Sequence, residues 1–566
     1  MLNSKTITAK QLAGLFDHTN LKAYATDEDF RVLCSEAAEN GYAMVAINPG
    51  PVKLCRSFLE GTKVHVGAAI SFPLGQTTVQ EKVSETVHAI LDGAQEIDYV
   101  INVGALKMGK TDLIRSEMEE IVKVCREHRV ISKVIFEICY LTEEEIRTVA
   151  AIAKEVRPDF IKTSTGFGTG GATVEAVRIM KETVGDAVKV KAAGGIRDWK
   201  TCAAMIDAGA ERIGTSSSGK ILKEFMEEQA ERIAQAKQTS RLFTTLPEEY
   251  VCTPDGMEID RNGDLIVSCP NYADDNMSGC VIRIDREKHI SKWFDVPVHP
   301  ETGIARNMGA AFDRNYDLYL CDNQGWSGKK ELQDKGRIIK VEFDENRQVK
   351  AWHTVAEGME HPNGIRIRGD YMYVTQSYLT KVHSDEGLTS CVYRFKLDER
   401  DIHITNTLED KHIFALFVTK NPVCVYGLDG IEIDLDGNLL VGNYGDAEVW
   451  KILLDENGDY QGRELYAKDP EELNSTDGMI MDKKTGKLYI ADFNHNAIVC
   501  VDPDHRVHRL AQSPDTDGLH GELDQPGEPI IWNGKIIASC FDLVTDETKF
   551  NTSHEMPATM AELELE

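Results

Sequence analysis

Basic residues are scarce in this chain. Its 566 residues carry 63 Lys and Arg against 93 Asp and Glu, a formal net charge of -30. That balance argues against nucleic acid and anionic membranes as partners, because both need a positive surface. Long apolar runs are missing as well: 42% of residues are hydrophobic and 28% charged, and no stretch is long enough to cross a bilayer, so a soluble globular protein is expected. The opening Met1-Leu2-Asn3-Ser4-Lys5-Thr6 lacks the charged and apolar regions of a signal peptide, which points to the cytoplasm. The thirteen cysteines are odd in number and contain no Cys-x-x-Cys pair. Reduced, mostly buried thiols follow, rather than disulfides or a thiolate zinc site.

The length requires more than one core, and the chain changes texture near residue 240. Residues 1–238 alternate short apolar strands with amphipathic helical stretches. The strand candidates are Gly14–Thr19, Ala43–Asn48, Val64–Ile70, Ile97–Val103, Val134–Ile138, Phe160–Thr163, Val188–Ala192 and Arg212–Thr215. Eight such alternations predict a (β/α)8 TIM barrel, whose functional groups gather at the C-terminal strand ends. Asp98 falls on the fourth strand, Glu137 on the fifth, Lys162 on the sixth and Lys191 on the seventh, so all four can point into one mouth.

A lysine at the end of a buried strand, as in Phe160-Ile161-Lys162, ordinarily snorkels to the surface. If it stays buried, desolvation lowers its pKa and leaves the free amine that carbonyl attack needs. Lys191 would supply a second cation that lowers it further, and Asp98 a carboxylate to manage protons. Lys189 shares the strand parity of Lys191, which allows it to face inward and leaves open whether it tunes the site or is tucked aside. Ala193-Gly194-Gly195 after strand seven and Gly214-Thr215-Ser216-Ser217-Ser218 after strand eight offer amides and hydroxyls to a phosphate.

The ordered set Phe16-Asp17-His18-Thr19, Ser71-Phe72-Pro73-Leu74-Gly75, Glu96-Ile97-Asp98, Lys162 to Gly168, Lys191 to Arg197 and Gly214-Thr215-Ser216-Ser217 resembles deoxyribose-phosphate aldolase over residues 5–230. The resemblance implies a class I aldolase without a cofactor, in which Lys162 forms the Schiff base, Lys191 lowers its pKa and Asp98 assists proton transfer. By the same carry-over, Gly166, Gly194, Gly195, Gly214 and Ser216 hold the phosphate of a sugar substrate. Self-association through the barrel is expected. Ala46, Ser71 and Ile138 depart from common family residues and bear on acceptor specificity.

Residues 242–566 read as strands, turns and aromatics with little helix. A repeat runs through them: Asp255-Gly256-Met257, Asn307-Met308-Gly309, Asn363-Gly364-Ile365, Asp429-Gly430-Ile431, Asp477-Gly478-Met479 and, more loosely, Gly527-Glu528-Pro529. Six copies about 50 residues apart predict an all-β six-bladed β-propeller. Asp255, Asn307 or Met308, Asn363, Asp429, Asp477 and Glu528 would then ring a central axis, where oxygen ligands favour a hard cation such as Ca2+ or Mg2+. This half resembles the regucalcin and gluconolactonase propellers. The resemblance implies one divalent cation held by Glu528, Asn363 and Asp429, with Asn307 near substrate and Asp429 also acting as the base that activates water on a sugar lactone.

Overall fold

Eight short strands close the first sheet into a barrel with every neighbouring pair parallel. They are β1 (Phe16–Thr19), β2 (Met44–Ile47), β3 (His65–Ile70), β4 (Glu96–Val100), β5 (Ile131–Ile135), β6 (Phe160–Lys162), β7 (Lys189–Ala193) and β8 (Arg212–Thr215). Helices between successive strands cover the outside, as parallel pairing requires. Their starts are written locally. Thr26, Thr78 and Thr142 each accept a hydrogen bond from the third helical residue, while Asp29, Glu81 and Glu145 reach back to the cap amide. The apolar faces of strands and helices merge into one core that runs from Ile7 to Phe225.

This computed structural model describes residues 2–546 and 548–566. It separates into two compact units, Met1–Ala230 and Glu231–Glu566. Among the described residues no helix is long and apolar enough to cross a membrane.

The second unit consists of six small sheets of antiparallel strands, one of them extended by a short parallel fifth strand. Their first strands, Met257–Ile259, Asn307–Phe312, Pro362–Arg368, Leu428–Ile433, Met479–Met481 and Pro526–Trp532, each pack against the next, and the sixth packs back on the first. This closed ring is a six-bladed propeller, as the repeat predicts. The last blade is composite: Arg241–Thr245, from the start of the unit, pairs with Thr559–Glu564 from its end. Such pairing leaves the ring without an open seam.

Each repeat glycine sits against a carbonyl of the next blade. A Cβ on Gly309 would lie 2.2 Å from the Asn363 oxygen, and one on Gly430 would lie 2.1 Å from that of Asp477. Only glycine permits an approach that close.

Candidate active site in the barrel and an axial site in the propeller

The barrel brings Asp98, Lys162 and Lys191 together. Lys162 Nζ lies 2.8 Å and Lys191 Nζ 2.7 Å from the same oxygen, Asp98 Oδ2. All three are buried, at 4%, 0% and 3% exposure for Lys162, Lys191 and Asp98. Register explains the meeting, because Lys162 is paired directly with Lys191 across β6 and β7. Burial alone would raise the Asp98 carboxyl, but Lys133, Lys162 and Lys191 outweigh it and hold the group well below the usual carboxylate range. Burial pulls Lys191 down; Asp17 and Asp98 oppose that, Lys133 and Lys162 add to it, and the amine comes to rest at about 8.

The network is larger than the motifs suggest. Lys133, buried on β5, lies 3.1 Å from Asp98 Oδ1 and 3.0 Å from Asp17 Oδ2, and also pairs with Glu96. Arg212 Nη1 is 2.7 Å from Asp17 Oδ1, and Asp17 pairs with Lys191 as well. Lys133, Asp17, Glu96 and Arg212 were not among the expected site residues. Lys133 had a signal, a charge inside the run Ile131-Ser132-Lys133-Val134-Ile135, but a strand drawn from Val134 leaves it outside.

One expectation on the barrel strands is corrected, and one open placement is settled. Glu137 is not on the fifth strand, which ends at Ile135. It follows the strand in a left-handed conformation (φ 55°), and its carboxylate accepts hydrogen bonds from the backbone amide and hydroxyl of Thr165. Lys189 shares the parity of Lys191 but stands at the opposite end of the strand, exposed, its Nζ 5.7 Å from the centre of the Phe160 ring. Two residues along a strand is about 6.6 Å, enough to move a side chain from the mouth to the far end.

Above the lysines opens a cavity of about 530 Å³, lined by Lys162, Gly166, Gly194, Gly195, Gly214 and Ser216 together with His18 and Arg197. Gly166, Gly194 and Gly195 all have positive φ, a backbone that turns amides where a side chain would strain. Ala46, Ser71 and Ile138 are buried and stand outside this lining.

In the propeller, a small cavity of about 30 Å³ is lined by Asp255, Met308, Asn363, Asp429 and Asp477. Trp326, His361, Tyr426, Tyr444, Phe493 and Phe541 contribute to the rest of its lining, together with Thr545 and Lys549. Asn363 Nδ2 donates to Asp429 Oδ1 at 2.6 Å. Burial, followed by the charge of its neighbours, pushes each of Asp255, Asp429 and Asp477 well above the usual carboxylate range. The lysine of the lining is engaged elsewhere: Lys549 Nζ donates to Thr548 Oγ1 at 3.0 Å and lies 3.4 Å from Asp546 Oδ2.

A bulge in the inner strands of four of the six blades corrects two further expectations. Pairing runs from Leu428↔Asn443 to Ile431↔Val441, from Asn307↔Asp322 to Ala310↔Leu320, and from Pro526↔Cys540 to Pro529↔Ala538. The counterparts of Asp429 are therefore Met308 and Gly527, not Asn307 and Glu528. Asn307 turns away from the axis, donating to Ser268 Oγ and the Cys280 carbonyl. Glu528 occupies the repeat-glycine position, and its carboxylate lies 2.8 Å from Arg366, whose guanidinium also holds Glu432. Of the expected metal ligands, Asn363 and Asp429 line the cavity and Glu528 does not. Asp255 and Asp477 take the remaining acidic positions.

Among the described residues, the groups of three or more His, Cys, Asp or Glu whose ligand atoms all lie within 4.8 Å of one another are Cys500, Asp502, His508 and Glu566, and Asp285, Glu287 and His289; Asp255, Asp429 and Asp477 are not drawn together that closely. In the first group, Lys487 lies 3.1 Å from both carboxylates and already neutralises them.

A family model for DeoC/LacD aldolases matches residues 12–222. The deoxyribose-phosphate aldolase of Bacteroides thetaiotaomicron is 54% identical over 221 residues, which are 39% of this chain and 93% of that protein. That of Lactobacillus acidophilus is 56% identical over 214 residues, 38% of this chain and 90% of its own. Among solved structures, an aldolase called QR15 is 42% identical, with 39% of this chain and 97% of that one covered and a TM-score of 0.37. A structure described as a candidate gluconolactonase is 13% identical, covering 57% of this chain and 97% of that one at a TM-score of 0.35. That likeness adds nothing to what the six sheets themselves show. The barrel spans nine tenths of the length of aldolases with which it shares more than half its residues, and by that measure the chain belongs to the deoxyribose-phosphate aldolase family.

Proposed function

We propose that the barrel cleaves 2-deoxy-D-ribose 5-phosphate, or a closely related sugar phosphate, to glyceraldehyde 3-phosphate and acetaldehyde through a Schiff base on Lys162. The sharing of Asp98 Oδ2 by Lys162 and Lys191 carries this reading. Around that oxygen Lys133, Lys162, Lys191 and Arg212 face Asp17, Glu96 and Asp98, four cations against three anions. Loss of one proton makes the buried cluster neutral, which favours one free amine in it.

Lys162 lines the cavity, so its amine is the one that attacks the substrate aldehyde at C1. Loss of water gives the iminium, which accepts the electron pair of the C2–C3 bond as the C3 hydroxyl gives up its proton. Glyceraldehyde 3-phosphate departs, C2 takes a proton, and water releases acetaldehyde and the free lysine. Asp98 and Lys191 carry the protons of these steps. The amides of Gly166, Gly194, Gly195 and Gly214, with Ser216, seat the phosphate. Borohydride reduction in the presence of acetaldehyde should add one ethyl group to Lys162 and abolish activity. A modified protein without mass at Lys162, or unaffected turnover, refutes this assignment.

A second reading is favoured by the axial carboxylates. Three buried carboxylates and a carboxamide line this small cavity, and oxygen donors of that kind are what a hard divalent cation takes. Asp255, Asp429, Asp477 and Asn363 would hold it. Such a cation would supply Lewis acidity toward a lactone carbonyl. Asp429 would take the proton of attacking water, and the aromatic wall would exclude bulk solvent. A sugar ring needs a pocket of about 300 Å³ or more, so lactone hydrolysis also requires the Thr545 and Lys549 side to open. Metal analysis of the purified chain should give one ion per chain, lost in Asp429→Ala. Lactone hydrolysis sensitive to EDTA supports a catalytic propeller, and metal without hydrolysis supports a propeller that only binds it.

A further inference from the structure

His18 lines the aldolase cavity but touches none of the lysine network. Its ring is buried on β1 against Tyr42, with ring centres 5.2 Å apart. Both of its nitrogens are used: Nε2 lies 2.9 Å from Glu36 Oε2, and Nδ1 lies 3.0 Å from Ser218 Oγ. Burial lowers its pKa, and the hydrogen bond it donates to Glu36 opposes that only in part. A neutral imidazole has one donor and one acceptor. The Glu36 carboxylate can only accept, so Nε2 carries the proton and Nδ1 receives the Ser218 hydroxyl.

Ser218 is fully buried and opens the 17-residue helix Ser218–Ala234, directly after the turn Thr215-Ser216-Ser217. That turn is fixed on its other side, where Thr215 Oγ1 donates to the Ile196 carbonyl at 2.7 Å and accepts from the Ser217 amide at 2.9 Å. Glu36 lies on the helix Asp27–Asn40 and lines the same cavity. The chain Glu36–His18–Ser218 therefore ties two helices through one strand, beside Gly214, Thr215 and Ser216 of the cavity lining. It also gives the Glu36 carboxylate a hydrogen-bond donor.

We propose that His18 is a positioning residue for the anion seat: by clamping Ser218 against Glu36 it fixes the 215–218 turn and so sets the preference for phosphorylated over unphosphorylated sugars. The proposal rests on the aldolase reading. A residue that holds the phosphate end should affect binding of the phosphate and leave the lysine chemistry alone.

The test compares 2-deoxyribose 5-phosphate with 2-deoxyribose on the full-length chain. In His18→Ala and Ser218→Ala, KM for the phosphate ester should rise roughly tenfold, with kcat little changed and kcat/KM for the plain sugar unaffected. Glu36→Ala, at a half-exposed position that tolerates substitution, should show the same split. Glu36→Gln keeps the acceptor oxygen and should restore most of the wild-type KM. Equal losses on both substrates, or no rise in KM in Glu36→Ala, overturn the proposal. Lys162 trapping in each variant separates the two failures: an adduct with unchanged phosphate preference removes the role of His18 alone, and no adduct in the parent chain removes the aldolase reading and this proposal with it.

Discussion

Burial moves Lys191 from the ordinary 10.5 to about 8, a difference of about 3 kcal/mol between its charged and neutral forms. Between those two pH values the unfolded chain binds the proton that the folded barrel has released, so this group adds stability as pH rises through that window. Chemistry follows the same direction. The free amine that the cluster supplies grows with pH, and kcat/KM for the sugar phosphate should climb between about pH 7 and 9 with a midpoint near 8, as a pH–rate profile would read directly. Lys133→Met removes a cation that helps depress Lys191, so the rising limb should move to higher pH. The same substitution leaves Asp17 and Glu96 short of a partner and should cost about 3–5 kcal/mol in a denaturant titration. A profile that stays put in Lys133→Met would break the link between the two lysines.

At the scale of elements, the sequence shows where strands exist better than where they begin. All eight barrel strands are short apolar runs and were legible as such. The fifth was misplaced because Ser132 and Lys133 look unlike core. Lys133 is buried only because three carboxylates from β1 and β4 reach it across the barrel interior, and no local pattern records that. The lysine pair itself was legible, since Lys162 and Lys191 end strands adjacent in the barrel. In the propeller the repeat gave the blade number, yet Glu528 was assigned one residue out of register, and of the two residues left open in the second blade it is Met308, not Asn307, that matches Asp429. A bulge inserts a residue that only hydrogen-bond pairing reveals, and a one-residue slip turns a side chain to the other face. Glu528 was the natural choice because it is acidic. The register instead sets Gly527 at the axis, where a Cβ would come within 2.8 Å of Asp255 Oδ1.

For the molecule as a whole, the large negative charge includes a buried share in the propeller. Asp255, Asp429 and Asp477 have raised pKa values in the folded state and ordinary ones when unfolded. Without a cation the folded propeller therefore holds protons that the unfolded chain gives up, and its stability should fall as pH rises above the ordinary carboxylate range. A bound divalent ion replaces those protons, so it should raise the melting temperature most at the higher pH and release protons as it binds. Calorimetry of the full chain, with EDTA and with millimolar Ca2+ or Mg2+, checks both. An apo melting temperature that does not decline with pH would mean that the three carboxylates are compensated some other way.

The composite last blade also orders events during synthesis. The barrel strands are all made by Thr215 and its final helix by Ala234. Arg241–Thr245 leaves the ribosome next but has no strand to join until Thr559–Glu564 exists. At about 5–20 residues per second, this leaves roughly a quarter of a minute to a minute in which the barrel can settle while the propeller still has an unmatched edge. A nascent chain of this protein thus has an early half that can become independent and a late half whose first strand must wait for its last.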